Sequence, residues 1–159
     1  MENLLKLLEE NARLSLEQLS TMLARPQAEV AEQMDELAKM GVVLGYQTVI
    51  DWEKTEKDYV ASIIELTVSP KKDFGFDEVA KTIAEFPEVD SVLLMSGGYD
   101  LAIMMHGRSF KDIAMFVAKR LSTLDSVLST STHFVLQKYK DRGIKIDTDT
   151  RDERELASL

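Results

Sequence analysis

Apolar residues near the start of the chain recur at helical spacing and reset twice. Leu4, Leu5 and Leu8 fall on one face of a helix over residues 3–11, and Leu14, Leu16, Leu19 and Leu23 open a second set. Ser15 stands where that second helix begins, and Gln18 can reach back to the Ser15 backbone N–H in an S-x-x-Q capping box. Pro26 disfavours helical geometry at Arg25 and suits the first turn of a new helix, so Ala24-Arg25-Pro26 predicts a break. A third helix runs to Gly41, with Val30, Met34 and Leu37 inward and Gly41 placed as a left-handed C-cap. "VVLGYQTVID", residues 42–51, is β-rich and interrupted by Gly45, which predicts a strand or short hairpin. Three short helices and a strand outline a winged helix-turn-helix domain over residues 1–50. The charged run "DWEKTEKD", 51–58, is expected to be a linker, with Trp52 packing one domain against the other.

Beyond residue 58 the period changes. "YVASIIELTV" (59–68) is a strand ended by Ser69-Pro70, and Phe76, Val79, Ala80 and Ile83 mark a helix that stops before Pro87. A strand from Val89 follows, and "YDLAIMMH" returns after Gly97-Gly98. Ser109, with Asp112 three residues on, starts a helix burying Ile113, Phe116, Val117, Leu121 and Leu124, and a last strand covers 127–137. The order is βαββαβ over residues 59–140, and an internal echo supports it. "FDEVA" (76–80) leads to "VDSVL" (89–93), as "FKDIA" (110–114) leads to "LDSVL" (124–128). Such paired αβ units predict an α+β fold with a ferredoxin-like sandwich, two helices lying on one sheet face. Ile63, Met104 and Val135 make both sheet faces apolar, so a second subunit is expected to cover the face the helices leave open. The polar stretch 141–159 is expected to be a flexible tail.

The chain has 159 residues, 45% of them hydrophobic, enough to bury a core in one domain or two. No apolar run is long enough to span a membrane and no signal-peptide pattern opens the sequence, which predicts a cytoplasmic protein. The absence of cysteine removes disulfides, thiolate chemistry and most structural zinc sites. His106 and His133 lack a metal-ligand spacing, and no nucleophile motif or phosphate-loop lysine occurs. No metal, no cofactor and no enzymatic activity are therefore expected. A net charge of −9 repels nucleic acid at long range.

A small winged helix followed by a βαββαβ domain resembles the Lrp/AsnC family of amino-acid-responsive transcription regulators over residues 1–140. The matching stretches are "NARLSLEQLSTML" (11–23), the spacing of Val30, Leu37 and Gly41, "GYQTVID" (45–51), "SGGYDLAI" (96–103) and "STSTHFVLQKYK" (129–140). The resemblance implies double-stranded DNA as a partner and a RAM-type domain that assembles homodimers and higher oligomers. It also implies a small amino acid bound between subunits, which shifts assembly or the spacing of DNA modules. One stretch departs from the family pattern: Pro26, Glu29 and Gln33 stand where the family commonly has Ser, Thr and Arg. Residues 1–56 carry five Lys/Arg against eleven Asp/Glu, a balance of −6.

On the third helix, Ala28, Glu32, Asp35 and Lys39 face outward, and only the amino-terminal end can be read by DNA. There Gln27 and Gln33 can bond adenine edges beside Ala28, while Arg13, Arg25 and Lys39 are the candidates for phosphates. The alternative is a solvated helix in a DNA-silent relative that binds an amino acid and acts through protein partners. For the effector, Gly97 and Gly98 form a tight hairpin through positive φ and offer N–H groups to a carboxylate. Asp100 faces the ammonium, Tyr99 or Met95 walls the side chain, and Thr130 and Thr132 add hydroxyls from a neighbouring subunit. The bland reading of this second set is an ordinary hairpin and ordinary strand threonines. A fold-sharing group decarboxylates tetrapyrroles, but this chain lacks the basic residues that so anionic a substrate needs.

Overall fold

The computed structural model describes residues 1–69 and 75–147, and the chain divides into two compact units, Met1–Val49 and Ile50–Leu159. The first is built from α1 (Glu2–Glu10), α2 (Leu16–Leu23) and α3 (Gln27–Lys39). Its core is Leu4, Leu8, Leu19, Val30 and Leu37, side chains whose burial stabilises by roughly 1.5–3 kcal/mol each. The capping box at α2 forms as the spacing predicts. Gln18 N–H donates to Ser15 Oγ at 3.2 Å, and Ser15 N–H donates to Gln18 Oε1 at 2.8 Å. The break after α2 is sharper than proline alone requires, because Ala24 itself takes a left-handed φ of 51°. Gly41, at φ 69°, closes α3 with a Schellman motif. The Gly41 N–H donates to the Ala38 carbonyl at 3.0 Å and the Val42 N–H to the Leu37 carbonyl at 2.9 Å.

The strand expected over 42–51 does not form, so the outline of a winged domain is corrected to three helices and an extended segment. β-Rich sequence becomes a strand only against a partner strand, and no described segment pairs with this one. Val42, Leu44 and Tyr46 are left exposed, Leu44 at 92%.

The second unit contains β1 (Val60–Val68), α4 (Asp77–Ala84), β2 (Val89–Leu94), β3 (Leu101–Gly107), α5 (Phe110–Phe116) and β4 (Val127–Phe134). α5 continues into a wider helical turn over Val117–Leu121. The sheet order is β2-β3-β1-β4, antiparallel throughout, the split-βαβ arrangement that the repeated αβ units predict. Both repeat-derived strands, β2 and β4, occupy sheet edges. Ser109 Oγ accepts the Asp112 N–H at 3.1 Å and starts α5 as expected.

Register assigns the two sheet faces. Ile64 lies opposite Ile103 and Thr132, and Leu66 opposite Leu101 and Thr130. This face meets Val79, Ile83, Ile113, Phe116, Val117 and Leu121 in the core. The opposite face carries Ile63 beside Met104, 37% and 42% exposed, with Leu93 at 48%.

Within the charged run 51–58, Trp52–Lys54 form a 3-10 turn whose Glu53 N–H donates to Asp51 Oδ1 at 3.2 Å. Trp52 stacks on Tyr59 at 6.0 Å and Tyr59 on His106 at 5.5 Å, all three rings belonging to the second unit. The expected flexible tail begins with a hairpin, β5 (Lys140–Asp141) against β6 (Ile144–Lys145). Its turn residues Arg142 and Gly143 have φ 45° and 84°, as a type I′ turn demands. The rest of that tail, from residue 148, lies outside the described residues, as does Pro70.

Candidate functional site

The connection between β2 and β3 is the loop Met95–Asp100, longer than the tight two-glycine hairpin that the sequence suggests. It is closed by the Met95 N–H donating to the Asp100 carbonyl at 2.8 Å. Neither Gly97 nor Gly98 has positive φ, and a Cβ at either would meet nothing within 4 Å. The expectation of positive φ is therefore wrong, and the chain's own geometry gives no reason for glycine at either position. What glycine leaves here is bare, exposed backbone.

Asp100 has a structural task. Its Oδ2 accepts the Val68 N–H at 2.7 Å, at the point where the β1–β4 register shifts between Thr67 and Val68. Its own N–H donates to the Leu66 carbonyl at 2.9 Å. The half-buried carboxylate thus ties the loop to the end of β1. Met95 is exposed at 39% and Tyr99 is half-buried.

Thr130 and Thr132 share a face, as two-residue spacing requires, but register puts them on the helix-covered side with Leu66 and Ile64. Ser129, Ser131 and His133 are the residues that edge strand β4 turns to the open face. Thr130 lies across β1 from the start of β3, about 10 Å away at two strand spacings. Two concavities of this unit lie elsewhere. One of ≈ 40 Å³ is lined by Trp52, Tyr59, Val135 and Lys138, and one of ≈ 440 Å³ by Glu88, His106, Arg108 and Phe116. Neither includes a residue of the loop, whose Met95–Gly98 stretch is exposed.

The histidines are engaged in local pairs. His106 Nδ1 lies 2.9 Å from Asp90 Oδ1, and His133 Nε2 lies 3.5 Å from Glu65 Oε1. No cluster of three metal-ligating side chains occurs among the described residues. Around the aromatic stack, burial pushes the Tyr59 hydroxyl up, opposed by the charge of Lys138. Burial would lower the Lys138 ammonium, but its hydrogen bond to Asp141, aided by Tyr59 and Asp90, leaves it raised.

In the first unit, Gln27, Ala28 and Lys39 are exposed on α3, and Arg13 is exposed before α2. Arg25 and Gln33 are not independent. Arg25 Nη1 donates to Gln33 Oε1 at 2.7 Å, and Arg25 Nε lies 3.5 Å from Glu29 Oε2. Sequence reasoning placed Gln33 as a separate adenine contact, and the spacing of four from 25 to 29 to 33 was the available signal for this network.

A four-stranded antiparallel sheet with helices on one face, following a three-helix unit, makes this an α+β chain. Residues 61–144 match the profile described as the Lrp/AsnC ligand binding domain. The chain is 46% identical to the uncharacterized HTH-type transcriptional regulator YugG of Bacillus subtilis, over 98% of this chain and 94% of that one. It is 25% identical to a proline dehydrogenase transcriptional activator of Rhizobium radiobacter, covering 89% and 90%. Among solved structures, transcriptional regulator NMB0573 of Neisseria meningitidis in complex with L-Met shares the fold at TM-score 0.71, 23% identity and coverage of 87% and 88%. AsnC of E. coli does so at 0.68, 21% identity and coverage of 90% and 94%. The chain belongs to the Lrp/AsnC family of transcriptional regulators. Among its described residues no helix is long and apolar enough to cross a membrane.

Proposed function

We propose that this chain is an amino-acid-responsive DNA-binding regulator. α2 and α3 act as a helix-turn-helix, and the sheet unit binds a small amino acid between subunits of a homodimer or larger homo-oligomer. The observation that carries the reading is the Met95–Asp100 loop, where Gly97 and Gly98 are exposed although neither crowding nor a positive φ calls for glycine. A ligand carboxylate takes their backbone N–H donors, Asp100 Oδ1 takes the ammonium, and Tyr99 or Met95 walls the side chain. A neighbouring subunit supplies the missing wall. Thr130 and Thr132 join this site only from the helix-side rim of an edge strand. Effector binding then favours one assembly over another, which is all that allostery requires here.

The test is thermal-shift screening of the oligomer against the common amino acids, since a ligand that binds only the folded state raises its melting temperature. Asp100→Asn separates the two tasks of the carboxylate, because its amide oxygen still accepts the Val68 N–H while the charge is gone. The melting temperature without ligand should stay within a few degrees of wild type and the ligand-induced rise should vanish. A full rise in Asp100→Asn removes the assignment of the ammonium partner. A DNA-silent relative is the second reading, favoured by the −6 balance of residues 1–56. It stands if no duplex, its own promoter region included, forms a specific complex at low salt.

A further inference from the structure

Between Arg13 and Lys39 the chain carries one cation, Arg25, and the structure holds it at both ends. Its backbone is fastened to α2: the Arg25 N–H donates to the Ser20 carbonyl at 3.1 Å, and the Ser20 hydroxyl donates to the Arg25 carbonyl. Its side chain lies along the flank of α3, Nη1 on Gln33 at 2.7 Å and Nε facing Glu29 at 3.5 Å. A guanidinium carries five N–H donors. One is spent on Gln33 and one faces Glu29, which leaves three on a side chain that is 38% exposed.

This arrangement discriminates between the two kinds of acceptor a duplex offers. A phosphate taking the three remaining donors would lie beside the Glu29 carboxylate, and repulsion between the two anions offsets much of what counterion release would contribute. The O6 and N7 atoms of guanine form a neutral pair of acceptors in the major groove, and they need only donors. Arg25 can meet them while Glu29 and Gln33 stay in place. Gln33, meanwhile, has its amide oxygen engaged by Arg25, so it no longer presents the free donor-and-acceptor pair that adenine recognition uses.

We propose that Arg25, braced by Glu29 and Gln33, reads guanine at the amino end of α3 and is not a phosphate anchor. Glu29 and Gln33 are positioning residues, and Glu29 also suppresses binding to sequences without that guanine. The proposal rests on the reading of α2 and α3 as a DNA-binding pair.

The experiment is selection of binding sites from randomised duplexes by the full-length oligomer. It is followed by anisotropy titrations of the selected duplex and a scrambled duplex across a salt series. Arg25→Lys keeps the charge and loses the planar fork. Its selected motif should lose one guanine per bound module, and its affinity for the wild-type motif should fall about tenfold or more. Its affinity for scrambled DNA and its salt slope should not change. Glu29→Gln should raise affinity for scrambled DNA and shrink the specific-to-scrambled ratio, whereas a merely structural Glu29 leaves that ratio alone. Circular dichroism melts matched to wild type exclude an unfolded helix unit as the cause.

If Arg25→Lys selects the wild-type motif with undiminished affinity, the guanine reading fails while DNA binding survives. A salt slope that drops by about one unit in Arg25→Ala and recovers in Arg25→Lys also overturns it, and makes Arg25 a phosphate contact. No wild-type complex at low salt overturns both this proposal and the DNA-binding reading beneath it.

Discussion

Single residues carry more than one constraint at several points in this molecule, and substitutions should be chosen to separate them. Gly41 is required by conformation and by nothing else. It sits at φ 69°, and a Cβ there would meet no atom within 4 Å. Gly41→Ala should therefore destabilise the helix unit by about 1–2 kcal/mol, the cost of a left-handed residue with a side chain. Urea unfolding monitored by circular dichroism measures it, and an unchanged midpoint would mean that the Schellman closure is dispensable. Gly97 and Gly98 are the opposite case, free of both steric crowding and positive φ, which is why their value lies in what approaches from outside. Asp100 serves the fold through Val68 and, on the proposed reading, the ligand through its other oxygen. Alanine confounds those roles and asparagine does not.

Elements explain where the spacing of apolar residues sufficed and where it did not. α2 and α5 begin, and α3 ends, close to their expected positions because caps are local chemistry. Ser15 with Gln18, Ser109 with Asp112, and Gly41 act within a few residues. The 42–51 segment has the composition of a strand but pairs with no described strand, and strand pairing is not a local property. The stack of Trp52, Tyr59 and His106 was likewise invisible, since it joins residues far apart in sequence. It has a consequence for pH. Tyr59 and Lys138 both have folded values raised above their ordinary 10.0 and 10.5. Their protonated forms are thus favoured by folding, and the stability they contribute is in place below those ordinary values and is lost as pH climbs through the raised ones. Tyr59→Phe keeps the ring and removes its ionisation. It should leave the melting temperature below pH 9 unchanged and make the fall above about pH 10 shallower than in wild type. An equally steep fall would show that the stack does not take part.

At the scale of the whole molecule, the open sheet face is the feature that asks for a partner. Ile63, Met104 and Leu93 lie exposed there, while the described helices packed on the sheet lie on the other side. A second copy covering this face would bring together helix units that are each net acidic, and on the proposed DNA-binding reading tethering them can raise overall affinity by about 10²-fold or more over a single unit. Met104→Glu places a charge at the centre of that face without touching the helix-side core. It should convert the oligomer to monomer in light-scattering measurements, because burying an unpaired charge costs several kcal/mol. DNA affinity should fall with it while the circular dichroism spectrum is retained. A variant that stays dimeric would place the interface elsewhere.

What the sequence by itself determined was much of what short-range chemistry controls: helix caps, the switch from helical to alternating periodicity near residue 59, and the paired αβ repeats. Tertiary structure alone decided which strand neighbours which, and so which residues share a face. Residues 130 and 132 were legible as companions, but only their register opposite Leu66 and Ile64 turned them toward the helices. Arg25 and Gln33 looked like two separate contacts until the folded helix brought guanidinium and amide within 2.7 Å. The reason is the same in each case. Side-chain periodicity is written along the chain, whereas pairing partners and competing hydrogen bonds are set in three dimensions by whichever arrangement has the lowest free energy.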